Sequence, residues 1–178
     1  MSFYLAQAIG FIVLIIRVIG IQFAQKKHIL FSLILVNFLF IAHYLLIGSW
    51  LSVIVCLMGA IQTVAVYFFE KKQPKLMFGV VISCAILAAS IGLFNFADLK
   101  DLLPLFSVFL STTALLMKKE QFVRVFLGLN STCWLIFDLL IAAYAMSAAD
   151  ALFIASTLIA IIRYSPSFQA KTQRSKSN

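Results

Sequence analysis

The 178-residue chain is short of charge: 11% of its residues are Asp, Glu, Lys or Arg, and only six are acidic. A soluble domain of this size needs a charged shell, and this chain has too few charges to make one. It has three prolines and seven glycines, so few positions interrupt a helix. Its two histidines, His28 and His43, are too few for a His-rich metal site. Cys56, Cys84 and Cys133 form no C-x-x-C pair and sit in apolar runs, where they read as small buried hydrophobes. No P-loop, G-x-G-x-x-G, H-E-x-x-H or G-x-S-x-G sequence occurs. Cys133 and Asp138 are near in sequence but face different sides of a helix. No metal, no cofactor and no enzyme activity are expected. Ten-residue alternating segments are also missing, which argues against a membrane β-barrel.

What the chain has is apolar length. Hydrophobic residues make up 63% of it, with eighteen Phe, and the mean hydropathy is +1.08. Windows of about 20 residues predict seven membrane spans, at 3–23, 30–47, 51–69, 77–93, 102–117, 125–145 and 151–164. The first does not read as a signal peptide, because it lacks a basic leader and contains Arg17. The connections are short and alternate in charge. One side collects Lys26, Lys27, Lys71, Lys72, Lys75, Lys118, Lys119, Arg124, Arg163, Lys171, Arg174 and Lys176. The other holds Lys100, beside Asp98, Asp101 and Asp150. The positive-inside rule then puts the N-terminus outside and the C-terminus inside. This topology, with anionic headgroups as the counter-charge, accounts for the net charge of +8 without a nucleic-acid partner.

Spans one to three and five to seven run in the same sense, with span four as the odd one between them. "AQKKHILFSLILVNFLFI" and "LMKKEQFVRVFLGLNSTCWLI" each put a Lys pair before a span and an Asn inside it, Asn37 and Asn130. Aligning them needs a gap. The expected plan is an all-α, 3+1+3 membrane protein. Its first three-helix bundle covers 1–72, its linker helix 73–98 and its second bundle 99–165, with a disordered basic tail at 166–178. Parallel repeats of this kind are a transporter architecture.

The stretches "AQAIGFI", "AHYLLIGSW", "LLPLFSVFLSTTALLMKK" and "STCWLI" resemble, in order and spacing, the YgjV-type bacterial inner membrane proteins. That family is grouped with the SWEET sugar carriers and the PQ-loop proteins. The resemblance implies two parallel three-helix bundles around a central site, in the inner membrane, and names no substrate. The SWEET sugar-site Asn has no counterpart in spans three and seven, and the hinge prolines reduce to Pro104, so no sugar site carries over.

Polar side chains in lipid should turn inward. At about 1.5 Å of rise per residue, His43, Asp138 and Gln7 are expected to form an outer layer. Arg17, Asn37, Gln62 and Asn130 are expected to form an inner one. His43 with Asp138 reads either as a proton-sensitive gate or as a structural interhelical hydrogen bond. Arg17 either snorkels to the headgroups, meets a carboxylate ligand, or meets carbonyls at a helix break; pairing with Asp138 is disfavoured by a depth difference of about 10 Å. Asn37 and Asn130 either bond across the pseudo-twofold or face cargo. Trp134 either stacks a ring-shaped solute or packs the core, with Tyr44 nearby in support. The resulting expectation is a small-molecule carrier working by alternating access, monomeric or homo-oligomeric. A receptor or assembly protein that binds partners through its inner loops is the alternative, and an intramembrane enzyme a further one.

Overall fold

Hydrocarbon offers no partner to a backbone N–H or C=O, so apolar runs that cross it close their hydrogen bonds as helices. The computed structural model describes residues 2–94 and 98–165, and among these it is all-helical, with no strand. The helices are α1 (Ser2–Gly20), α2 (Lys26–Ile47), α3 (Trp50–Phe69), α4 (Pro74–Phe94), α5 (Leu102–Leu116), α6 (Glu120–Leu140) and α7 (Tyr144–Arg163). A 3-10 turn, Leu99–Asp101, leads into α5. Six helices are long and apolar enough to cross a membrane, α5 counting together with that turn; the apolar stretch Leu5–Gly20 of α1 is shorter. The tail expected at 166–178 lies outside the described residues.

Large apolar side chains such as Phe11, Phe78, Ile86, Phe109 and Ile162 point outward, as lipid contact requires. The contacts between helices are made by small residues instead: Ala6, Ala88, Ala114, Ala149 and Ala160 are fully buried. Gly20 is needed where α1 meets α2, because a Cβ there would fall 2.2 Å from Ser32 Oγ.

Six helices form a closed ring in the order α1, α2, α3, α5, α6, α7 and back to α1, and α4 packs outside it on α3 and α5. A constant register relates the two halves. The 94 residues that separate Tyr44 from Asp138 also separate the starts of α2 and α6, and of α3 and α7. The turns match too. Gly48 (φ 83°) follows α2, and Ala142 (φ 57°), 94 residues on, follows α6, both left-handed. A further bond closes each turn, Ser49 N–H to Tyr44 O at 3.0 Å and Ala143 N–H to Asp138 O at 2.8 Å.

Cations clamp equivalent carbonyls from non-equivalent positions: Leu115 and Met117 lie 94 residues beyond Ile21 and Phe23, whereas Lys26 and Arg124 do not share that interval. Lys26 donates to the carbonyls of Leu115 (3.0 Å) and Met117 (2.8 Å) at the end of α5, and to Glu70 Oε1 (2.6 Å). Arg124 donates to the carbonyls of Ile21 (3.4 Å) and Phe23 (2.8 Å) after α1, and its guanidinium lies 4.5 Å from the Tyr164 ring centroid. Both satisfy the acceptor end of a helix with positive charge.

These positions correct the sequence expectations. Lys26 and Arg124 belong to helices and are buried, not loop cations. Span six ends at Leu140 rather than 145, and span seven begins at Tyr144 rather than 151. "IAAYAMSAAD" has no Gly, Pro or basic residue to mark the turn that Ala142 makes. Asp150 is therefore a buried residue of α7, not part of an outer loop. Asn37 and Asn130 are not equivalent either: the gap-free register pairs Asn37 with Ser131, and Asn130 with Val36.

Candidate functional site

The ring encloses a cavity of about 70 Å³ to which all six of its helices contribute and α4 does not. Two quartets line opposite walls: Leu33, Val36, Asn37 and Phe40 on α2, and Leu127, Asn130, Ser131 and Trp134 on α6. Each spacing is i, i+3, i+4, i+7, one face of a helix, and each residue of the second quartet is 94 beyond its counterpart. The same interval relates two further lining pairs, Arg17 of α1 with Ser111 of α5, and Gly59 of α3 with Phe153 of α7.

Arg17 is the cavity's one charged lining residue. Its guanidinium donates to Asp150 and to Ser131, and it lies between the rings of Phe40 and Phe153, 5.3 and 4.2 Å from their centroids. It is 5% exposed, so it does not snorkel to the headgroups. Its cationic charge is held by a carboxylate and two aromatic faces instead. Asp150 lies within hydrogen-bonding reach of Asp138, whose Oδ1 accepts the Tyr44 hydroxyl at 2.8 Å. Tyr44 in turn stacks on Trp134, with ring centroids 5.6 Å apart. A polar chain Ser131–Arg17–Asp150–Asp138–Tyr44 thus starts at the cavity wall and runs behind it.

Of the residues predicted for the site, Arg17, Asn37, Asn130 and Trp134 line the cavity, while Tyr44 and Asp138 stand behind it. The His43–Asp138 pair does not form. His43 is fully buried and sets Nδ1 2.9 Å from the carbonyl of Ala6, tying α2 to α1. Gln62 donates to the Val81 carbonyl (2.9 Å) and to Thr112 Oγ1 (3.1 Å), so it ties α3 to α4 and α5 outside the cavity. Gln7 is half-buried and also off the cavity. The expected outer layer does not form, and the inner one keeps Arg17, Asn37 and Asn130 at the cavity but not Gln62, for one reason. Depth along a helix was readable, but the face each residue presents depends on helix rotation, which depth does not fix.

Sequence reasoning missed Asp150, Ser131 and Thr63. Asp150 carried a usable signal: an acid inside "AMSAADALFIAS", an otherwise apolar run, asks for a buried partner. The partner was the one Arg already seen inside a span.

The cavity offers few free polar groups. Ser107 and Ser111 donate their hydroxyls to carbonyls of their own helix, Pro104 O (2.7 Å) and Val108 O (3.1 Å). Asn37 Nδ2 reaches Thr63 Oγ1 at 3.4 Å, while Asn130 Oδ1 is buried with no partner. Among the described residues no three His, Cys, Asp or Glu side chains converge on a metal position.

The sequence of the chain matches, over residues 4–167, the Imp-YgjV family of bacterial inner membrane proteins. The chain belongs to this family. No curated protein and no solved structure matches it. As a YgjV-family member with six helices able to span a bilayer, it is a multi-pass protein of the bacterial inner membrane.

Proposed function

We propose that this YgjV-family protein is a small-solute carrier, not an enzyme, in which helices α1–α3 and α5–α7 act as two parallel repeats, α4 joins them, and the cavity between them alternates in access. One observation carries this: the cavity is lined by register-equivalent quartets, Leu33, Val36, Asn37 and Phe40 facing Leu127, Asn130, Ser131 and Trp134. A site shared by two like-facing units is the arrangement that rocking repeats use. The resemblance to the YgjV type, a family grouped with the SWEET and PQ-loop carriers, fits the same plan, and the distribution of Lys and Arg favours an N-terminus outside. The solute would meet the free Asn130 acceptor and the aromatic faces of Phe40, Trp134 and Phe153. As built, the cavity has room for on the order of five waters, so a larger cargo needs the helices to move apart.

The test is a thermal-stability screen of the purified protein against bacterial metabolites, followed by flux of any hit in proteoliposomes. A solute at a hundred times its Kd adds about 2.7 kcal/mol of stability. Saturable flux that disappears in Asn130→Ala and Trp134→Ala, with folding retained, supports the carrier. A chemically altered solute would point to an enzyme instead.

One feature favours a second role, as a receptor or assembly protein. Lys26, Lys27, Lys71, Lys72 and Lys118 line a surface cleft with Glu70 and Glu120. If Lys71→Glu and Lys72→Glu abolish function while the cavity variants do not, this role replaces the carrier.

A further inference from the structure

Two buried acids share one buried cation. Asp138 and Asp150 are 0% and 1% exposed and Arg17 5%, and Arg17 bonds to Asp150 alone of the two acids. With both carboxyls ionised, the cluster would carry an unmatched negative charge in a low-dielectric interior, the costliest arrangement for such a group. The hydrogen bonds show where the mismatch lies. Arg17 engages Asp150 Oδ1 and the Tyr44 hydroxyl engages Asp138 Oδ1, which leaves Oδ2 of each acid buried without a partner. The two carboxyls lie within hydrogen-bonding reach of each other. Two carboxylates have no hydrogen to share, whereas one proton turns the contact into an O–H···O bond.

We propose that Asp138 and Asp150 form a proton-binding site, one exchangeable proton held between their carboxyls, so that the pair carries a single negative charge matched by Arg17. Among the described residues Arg17 is the one cation that acts on the pair: α2 faces it with the Tyr44 hydroxyl and α3 brings the Cys56 thiol near it, while Lys26, Lys27, Arg124 and Arg163 of the neighbouring helices engage other groups. His43 turns to Ala6 on α1 instead. The proton comes from water and no covalent bond to carbon changes. Arg17 touches both the pair and the cavity, so a solute that competes for its guanidinium would alter how tightly the proton is held. That link rests on the carrier reading; the proton site does not.

Infrared spectroscopy of the full-length protein in detergent at neutral pH tests it, in H2O and D2O, with no solute added. The chain has six acids, and Glu70, Asp98, Asp101 and Glu120 are at least partly exposed to solvent, so a protonated carboxyl band at this pH isolates the pair. The expected result is a C=O stretch of one buried carboxylic acid that shifts in D2O. It should vanish in Asp138→Asn and in Asp150→Asn alike, because the acid left alone ionises against Arg17, and in Tyr44→Phe it should stay and move. A wild-type spectrum without the band, or a band of undiminished area in both Asn variants, overturns the assignment. Absent solute flux with the band intact would sink the carrier and leave the proton site standing.

Discussion

Helices α1–α3 and α5–α7 place equivalent positions 94 residues apart, yet they carry opposite chemistry at them. Where the first triplet has Tyr44 and Cys56, the second has Asp138 and Asp150; where the first has Arg17, the second has Ser111. Tyr44 and Asp138 are themselves equivalent, and they bond to each other. The spacing of helices and turns thus repeats while the charge does not. The shared spacing serves the turns and one close helix contact, since Gly48 and Ala142 are both left-handed and Gly20 is equivalent to the small Ala114. Asymmetry serves the site, because a self-equivalent pair of acids, or of arginines, would repel across the axis.

Breaking the asymmetric cluster should have the largest effect. Arg17→Met leaves Asp150 buried without its cation and should cost about 3–5 kcal/mol in denaturant or thermal unfolding, whereas Ser111→Ala, the equivalent change, should cost about 1 kcal/mol or less. Equal losses at the two positions would mean that the cluster is not the difference between the triplets.

The clamps test the symmetric side of the comparison. Lys26→Met and Arg124→Met each free two carbonyls at a helix end and should each cost about 2–3 kcal/mol, read by the same unfolding assay. A large gap between them would show that the two ends are held in different ways.

A smaller effect is expected of the reciprocal swap at the axis. Tyr44→Asp and Asp138→Tyr should each lose stability, and the double variant should recover about 1–2 kcal/mol of their summed loss by restoring the hydroxyl–carboxylate bond with its ends exchanged. A strictly additive double variant would mean that the two positions do not face each other as equivalents.

The turns should give the smallest effect, with opposite signs. Gly48→Ala introduces a Cβ at a left-handed residue and should cost about 1 kcal/mol, while Ala142→Gly should gain a few tenths up to about 1 kcal/mol by removing one. Both follow from the φ values of 83° and 57°.

Several elements of this fold were legible in the residues. Lys pairs and short connections marked the ends of α1, α3 and α5, because charge is excluded from hydrocarbon. The α6–α7 turn was not legible, since Ala142 takes a left-handed conformation that nothing in "IAAYAMSAAD" announces. Asn130, Trp134 and Arg17 were recognisable as cavity candidates because each is polar or amphipathic within an apolar run. His43 and Gln62 passed the same test and proved to be ties between helices, because a buried polar group can be satisfied by a carbonyl as well as by a cavity.

The sequence by itself determined the solvent and the class of element. Scarce charge and long apolar runs leave a bilayer as the only setting, and in a bilayer those runs must be helices. Only the tertiary structure decided which polar groups meet. Arg17 and Asp150 are 133 residues apart, and whether they touch depends on the rotation and pairing of α1 and α7. Those are set by how alanines and glycines let helices approach, and hydropathy carries no record of it.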